Sequence, residues 1–259
     1  MKTRYGVSPW IAEFPNSRRP SFPRLRGEHT VDVVIIGGGL AGCATAYSCA
    51  AAGLKTILIE AERIGEGHAG RSSGLLLPEP GPAFRDIAKL HGQRSARKAF
   101  DAWRRASLDG AALLRRLQVK CNLEPVDTYT IAARDGEKAL RRDFDALVDA
   151  GLAVSWLTAR QIAPATGLEA SAGFRQRDAF ALDPVRACIG LASAAAGRGA
   201  QLFERSRARK VKFTRKNATV LTADAVLRTS KVIVTTGVAT PEYGQLRRHL
   251  KRRETIMVL

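Results

Sequence analysis

The 259-residue chain has no run of 18 uninterrupted apolar residues, so hydropathy gives no helical membrane span. Its most apolar region, residues 31–60, is broken by glycines and carries Asp32 and Lys55. Pro9, Pro15, Pro20 and Pro23 interrupt an N-terminus that lacks the basic-then-apolar layout of a secretory signal, and a cytoplasmic location is expected. Cysteine is scarce. Cys43, Cys49, Cys121 and Cys188 form no CxxC pair and suggest no disulfide framework; the first two read as packing residues in a helix of small side chains. His29, His68, His91 and His249 are scattered without ligand spacing, so no metal site is expected. Acidic residues are few: 24 Asp and Glu against 42 Lys and Arg give a formal charge of +18. Aromatics make up only 6% and are not interleaved with the basic residues, which argues against a specific nucleic-acid partner. The charge reads as a solvated surface, capable at most of weak attraction to anionic surfaces.

What the chain does have is concentrated in residues 31–60. An apolar strand, residues 31–36, enters a turn with Gly37, Gly39 and Gly42 at G-x-G-x-x-G spacing. Leu40 precedes a small-residue helix, residues 41–52, that opens with Ala41 and stops at Gly53, and a second apolar strand, residues 54–59, ends in Glu60 and Ala61. In such a unit the first glycine allows the tight turn, the second lets backbone approach a pyrophosphate, and the third packs helix on strand. The helix N-terminus offers N–H groups and a positive dipole end. Glu60, 18 residues after Gly42, is placed to accept hydrogen bonds from a ribose hydroxyl. The unit predicts dinucleotide binding without choosing between NAD and FAD.

Around it the pattern is mixed α/β. Residues 1–30 read as an extended arm. Residues 84–117 read as helical, with Trp103, Ala106, Gly110, Leu113 and Leu117 on one face. A second helix spans about 137–150, with Leu140, Phe144 and Leu147 inward. Strands are expected at 127–133 and 153–157, then a short helix capped by Thr158 and closed by Pro164. Asp183-Pro184 starts a helix that runs to about residue 196. Strands follow at 201–204, 208–214, 218–222, 225–228 and 232–235. The expected boundaries are an arm (1–30), a first part of a dinucleotide-binding domain (31–120), a partial substrate domain (121–182), a second binding part (183–240) and a crossing segment (241–259).

Three further segments resemble the FAD-dependent oxidoreductases related to D-amino-acid oxidase, glycine oxidase and sarcosine oxidase. Gly67-His68-Ala69-Gly70-Arg71-Ser72-Ser73-Gly74 is similar to that family's flavin loop. Phe180-Ala181-Leu182-Asp183-Pro184 looks like its return from the substrate domain, and Val232-Ile233-Val234-Thr235-Thr236-Gly237 like its strand and Thr-Gly turn. Ala208 matches the position whose backbone meets adenine. The resemblance implies a Rossmann-like FAD-binding domain, a parallel sheet with helices, carrying an inserted, incomplete α+β substrate domain. It also implies oxidation of an amine or amino acid by hydride transfer to flavin. Gly70, Arg71, Ser72, Ser73, Gly74, Leu75, Thr236 and Gly237 join the expected cofactor contacts, with residues 71–76 nearest the flavin ring.

Two departures qualify it. Ala69 stands where relatives often have Ser or Thr. Arg71 stands where some carry a histidine bonded to flavin, so non-covalent FAD is implied. The family also continues past the Thr-Gly turn, and the stop at Leu259 reads as C-terminal truncation. The groups that grip substrate are expected in the missing half, so no catalytic residue is named. The alternatives are a non-catalytic FAD-binding remnant and an NAD(P)-dependent dehydrogenase.

Overall fold

The structure, a computed structural model, describes residues 6, 8–132 and 136–237. The expected crossing segment at 241–259 and the strand end at Ala133 lie outside the described residues. In chain order the elements are α1 (Pro9–Ala12), β1 (Gly27–Ile36), α2 (Leu40–Ala51), β2 (Thr56–Ile59), β3 (Leu75–Leu76), α3 (Phe84–His91) and α4 (Gln93–Arg116). Then come β4 (Glu124–Ile131), α5 (Glu137–Asp149), β5 (Val154–Thr158), α6 (Ala159–Thr166), β6 (Ala172–Ala181), α7 (Pro184–Gly197), β7 (Gln201–Phe203), β8 (Lys210–Phe213), β9 (Ala218–Leu221) and β10 (Ala225–Val234). Two compact units result. The first comprises Met1–Gly74, Leu117–Cys121 and Asp183–Leu259; the second comprises Leu75–Arg116 and Asn122–Leu182.

The first unit is built on a six-stranded sheet ordered β7-β2-β1-β10-β9-β8. β7, β2, β1 and β10 run parallel, while β9 and β8 add an antiparallel edge. The apolar ends of β1 and β2 are fully buried, as parallel strands covered on both faces must be. Val34, Ile36, Ile57, Ile59 and Leu227 form one core with Leu25 from the segment before β1. α2 packs against α7. That contact is close because both helices present alanines and cysteines: Cys43, Ala46 and Ala50 on one, Ala187, Cys188 and Ala195 on the other. Asp183 starts α7 by accepting the N–H groups of Val185 and Arg186, each at 2.9 Å.

β1 begins at Gly27, four residues earlier than its apolar run predicts. Residues 27–31 pair with β10 alone, whereas β2 joins only from Val33, so this half needs no apolar pattern. β10 is likewise one strand where two short ones are expected. Thr229 lies within it and donates through Oγ1 to Asp32 O at 2.8 Å. The arm is not simply extended, since α1 and a short 3-10 turn lie within it.

The second unit centres on β6, paired antiparallel with β3, β4 and β5. Most of this strand is absent from the sequence reading. Its charged stretch Arg175-Gln176-Arg177-Asp178 hides the alternation. Residues 75–116 fall here rather than in the first binding part, because Phe84, Ala96 and Phe100 share a core with Leu140, Leu147 and Phe174. Gly92, at φ +83°, splits the expected long helix into α3 and α4. The buried face of α4 is Ala96, Phe100, Ser107, Ala111 and Leu114, one position round from the predicted stripe, and Trp103 is 51% exposed. α6 continues past Pro164, which stands inside it, and ends at Gly167 with φ +71°.

One group in this unit carries a pH prediction. Burial raises the carboxyl of Glu79 above its ordinary value, and a hydrogen bond from Gln176 offsets part of the rise. Between the unfolded and the raised folded value the native state holds more protons, so stability falls as pH rises through that window. Glu79→Gln should therefore melt higher than the parent chain at pH 7, with the gain vanishing below the ordinary carboxyl range. Paired melts at the two pH values check this.

Candidate functional site

β1 ends at Ile36 and the chain turns through Gly37 at φ +115°, which side chains rarely adopt. A Cβ there would also stand 3.0 Å from the carbonyl and Oγ1 of Thr235. The Thr235 hydroxyl donates to Ile36 O and Gly37 O, both at 3.0 Å, and its N–H donates to Ile36 O at 2.9 Å. The turn after β1 is thus clamped by the turn after β10. Gly39 starts α2 without a side-chain cap, and the Cys43 N–H, donating to Gly39 O at 3.0 Å, opens the helical ladder. The N–H groups of Leu40, Ala41 and Gly42 precede that first bond and belong to the positive end of the helix dipole. No acid occupies the first turn, and a Cβ built on Gly39 would meet nothing within 4 Å. Among the described residues, the position beside Gly39 is therefore open.

Glu60 flanks that space. Its Oε2 accepts the Gly38 N–H at 2.6 Å and its Oε1 the Glu62 N–H at 2.9 Å. Each oxygen keeps a further lone pair for a hydroxyl donor. The Gly65 N–H donates to Gly38 O at 3.0 Å, which brings residues 65–74 against the same turn. Within that segment Gly70 is buried, Arg71 and Ser73 are exposed, and Ser72 accepts the Gly74 N–H through Oγ at 3.3 Å. A Cβ on Gly237, at φ +73°, would lie 3.5 Å from His68 Nδ1, so the β10 turn also meets the loop. The structure therefore gathers Gly37, Gly39, Leu40, Ala41, Gly42, Glu60, the 65–74 loop and Gly237 at the carboxyl ends of β1, β2 and β10. That crevice is where open α/β sheets bind ligands.

Ala61 follows Glu60, half-buried, and Thr236 sits between Thr235 and Gly237. Ala208, between β7 and β8, packs partly buried against the strand core. Leu75 opens β3 in the second unit. Hydrogen bonding to Cys188, then burial, pushes the Cys43 thiol well above its ordinary value, and the thiol stays protonated. Among the described residues no group of three His, Cys, Asp or Glu could hold a metal. No helix among them is long and apolar enough to cross a membrane.

Sequence reasoning missed the support behind this crevice. Glu204 is only 2% exposed; its Oε1 accepts the Ile64 N–H at 2.9 Å and its Oε2 the Phe22 N–H at 3.4 Å. Arg63 Nε stands 3.9 Å from the same carboxylate. One signal was available, since Glu204 ends an apolar strand as Glu60 does.

The parallel sheet, the glycine turn and the acid after β2 place the first unit in the Rossmann-like class of α/β proteins. The family described as FAD dependent oxidoreductase (DAO) matches residues 32–259, and the chain belongs to it. γ-Glutamylputrescine oxidoreductase of Escherichia coli K12 is 30% identical over 137 residues, 51% of this chain and 31% of that protein. The probable oxidoreductase OrdL of Rhizobium meliloti is 28% identical over 214 residues, 80% of this chain and 48% of its own. The chain thus spans under half the length of either relative. Among solved structures, glycine oxidase of Geobacillus kaustophilus shares the fold with TM-score 0.65 at 19% identity, over 80% of this chain and 55% of that one.

Proposed function

We propose that the first unit binds FAD non-covalently, and that the protein of which this unit is part oxidises an amine or amino acid by hydride transfer to flavin. The open backbone cradle at Gly39, facing the N-terminus of α2 beside the Glu60 carboxylate, carries the reading. A pyrophosphate would fit it, because the positive dipole end of α2 begins beside Gly39, where an added Cβ would meet no described residue within 4 Å. Glu60 would hold the ribose through its remaining lone pairs, with Ala61 beside it. Ala208 would present backbone to the adenine. Gly70, Arg71, Ser72, Ser73, Gly74 and Leu75 would run past the pyrophosphate toward the ring, the Arg71 guanidinium acting as a charge-assisted donor. Thr236 and Gly237 would close the other side. Bound there, FAD supplies a hydride acceptor for the carbon bearing nitrogen, leaving an imine for water to hydrolyse. An amine substrate is supported by the names of two similar proteins, which denote γ-glutamylputrescine and glycine.

Gly39→Val separates binding from folding. Gly39 has φ −81° and ψ −173°, extended backbone open to any residue, and its Cβ would touch nothing. The variant should melt within about 0.5 kcal/mol of the parent. It should lose FAD affinity by about 100-fold or more, the equivalent of roughly 3 kcal/mol. A flavin titration reads the loss directly. Acid precipitation of the parent protein should leave the yellow colour in the supernatant. A colourless parent that binds NADH instead would overturn the proposal.

A further inference from the structure

We infer that residues 8–19 form a strap that sets the 65–74 loop in place before any cofactor arrives, with Trp10 and Arg19 as its positioning residues. The link to cofactor rests on reading that loop as the FAD loop. The strap's hold on the loop does not.

The loop has little structure of its own: one 3-10 turn, Ala69–Arg71, in a glycine-rich segment. Ordering such a segment costs backbone entropy that its own hydrogen bonds do not recover. The strap supplies what is missing at three points. Trp10 Nε1 donates to Ser72 O at 3.0 Å. The Ile11 side chain lies over Gly70, where an added Cβ would come within 3.2 Å of Ile11 Cδ1 and 2.7 Å of Gly65 O. Arg19, its side chain 2% exposed, donates from Nη1 to Glu66 Oε1 at 2.8 Å.

The same guanidinium holds the strap to itself. Its Nη2 donates to Ile11 O at 3.0 Å and its Nε to Phe14 O. A buried guanidinium is tolerable only when its donors are met, and here one planar fork joins two strap carbonyls to one loop carboxylate. Phe14 lies between Arg19 and Arg186, with guanidinium carbons 5.5 and 4.5 Å from the ring centroid. Arg186 is fixed in turn to Asp183 at 3.0 Å. The strap is therefore anchored on α7 and grips the loop on both sides of Gly70 and Arg71.

Trypsin tests this on the full chain without FAD, because Arg71 is exposed and the Arg71–Ser72 bond lies beside the carbonyl that Trp10 holds. Trp10→Phe keeps an aromatic ring and removes the indole N–H. Arg19→Lys keeps the charge and removes the fork. Cleavage after Arg71, followed by mass spectrometry, should rise about fivefold in Trp10→Phe, the equivalent of one hydrogen bond, and further in Arg19→Lys. Cleavage after exposed Arg198 should stay unchanged in Trp10→Phe, which decides the matter if Arg19→Lys does not fold. Unaltered cleavage after Arg71, or faster cleavage at both sites with a lower melting temperature, overturns the inference. Added FAD should slow the Arg71 cut in the parent chain. If the variants behave as expected but FAD protects nothing, the strap stands and the cofactor reading falls.

Discussion

Gly42→Ala is expected to destabilise the protein and abolish FAD binding, although glycine to alanine inside a helix ordinarily stabilises by about 1 kcal/mol. The sign reverses because of where α2 meets the turn before it. A Cβ on Gly42 would overlap the carbonyl oxygen of Gly37, and would stand 3.0 Å from the Gly37 carbonyl carbon and 2.8 Å from Thr235 Oγ1. Nothing there can yield cheaply. Gly37 is held by its own φ of +115° and by the Thr235 hydroxyl, and Thr235 is fixed on the neighbouring strand by its bond to Ile36 O. Relief requires α2 to slide away from β1, but α2 is also packed on α7. An overpacking cost of about 3 kcal/mol is expected, at the upper end of the usual range. For a chain of this length that lowers the melting temperature by roughly 6–12 °C. FAD affinity should fall beyond detection, because the displaced helix end is the proposed pyrophosphate cradle. Thermal melts and a flavin titration check both halves. A variant that melts at or above the parent would show that the turn is not clamped.

Glu204→Ala should cost a comparable amount through a different mechanism. It strips the acceptor from the buried Ile64 N–H and from the Phe22 N–H, and leaves Arg63 without its carboxylate. An unsatisfied buried donor costs about 1–3 kcal/mol, and loss of the charged partner adds to it. Arg63 can turn to solvent, so the total should stay near 3 kcal/mol. Glu204→Gln keeps an acceptor oxygen and should recover about half. The effect should reach the proposed cofactor site, because Ile64 packs within 2.9 Å of where a Gly38 Cβ would lie, and Gly38 donates to Glu60. Weaker FAD binding by Glu204→Ala, measured well below its melting point, would show that coupling. Unchanged binding would confine Glu204 to folding.

Residues 31–60 were legible in the sequence because each job there depends on the chain's own local geometry. The turn needs glycine at Gly37 for its φ and at Gly42 for its close approach to Gly37 O, and Glu60 follows an apolar strand. Local spacing fixes all of these. The α7 start at Asp183-Pro184 was legible for the same reason, since an N-cap bonds only to its own next turn. The face of α4 was not. Its two candidate stripes, one led by Trp103 and the other by Phe100, differ by one position, and only the partners, Phe84 and Phe174 in the core with Phe100 and the Leu76 and Asp178 carbonyls against Ser107, decide which is buried. β6 escaped notice because its place between β3, β4 and β5, not its own pattern, makes it a strand.

The sequence by itself determined the family and the strand–turn–helix–strand unit at 31–60, because backbone turns, caps and strand ends are written in neighbouring residues. Only the tertiary structure decided what holds that unit in register: Thr235 on Gly37, Glu204 on Ile64, Arg19 and Trp10 on the 65–74 loop. Each of these bonds joins residues at least 47 positions apart, a distance at which spacing carries no information.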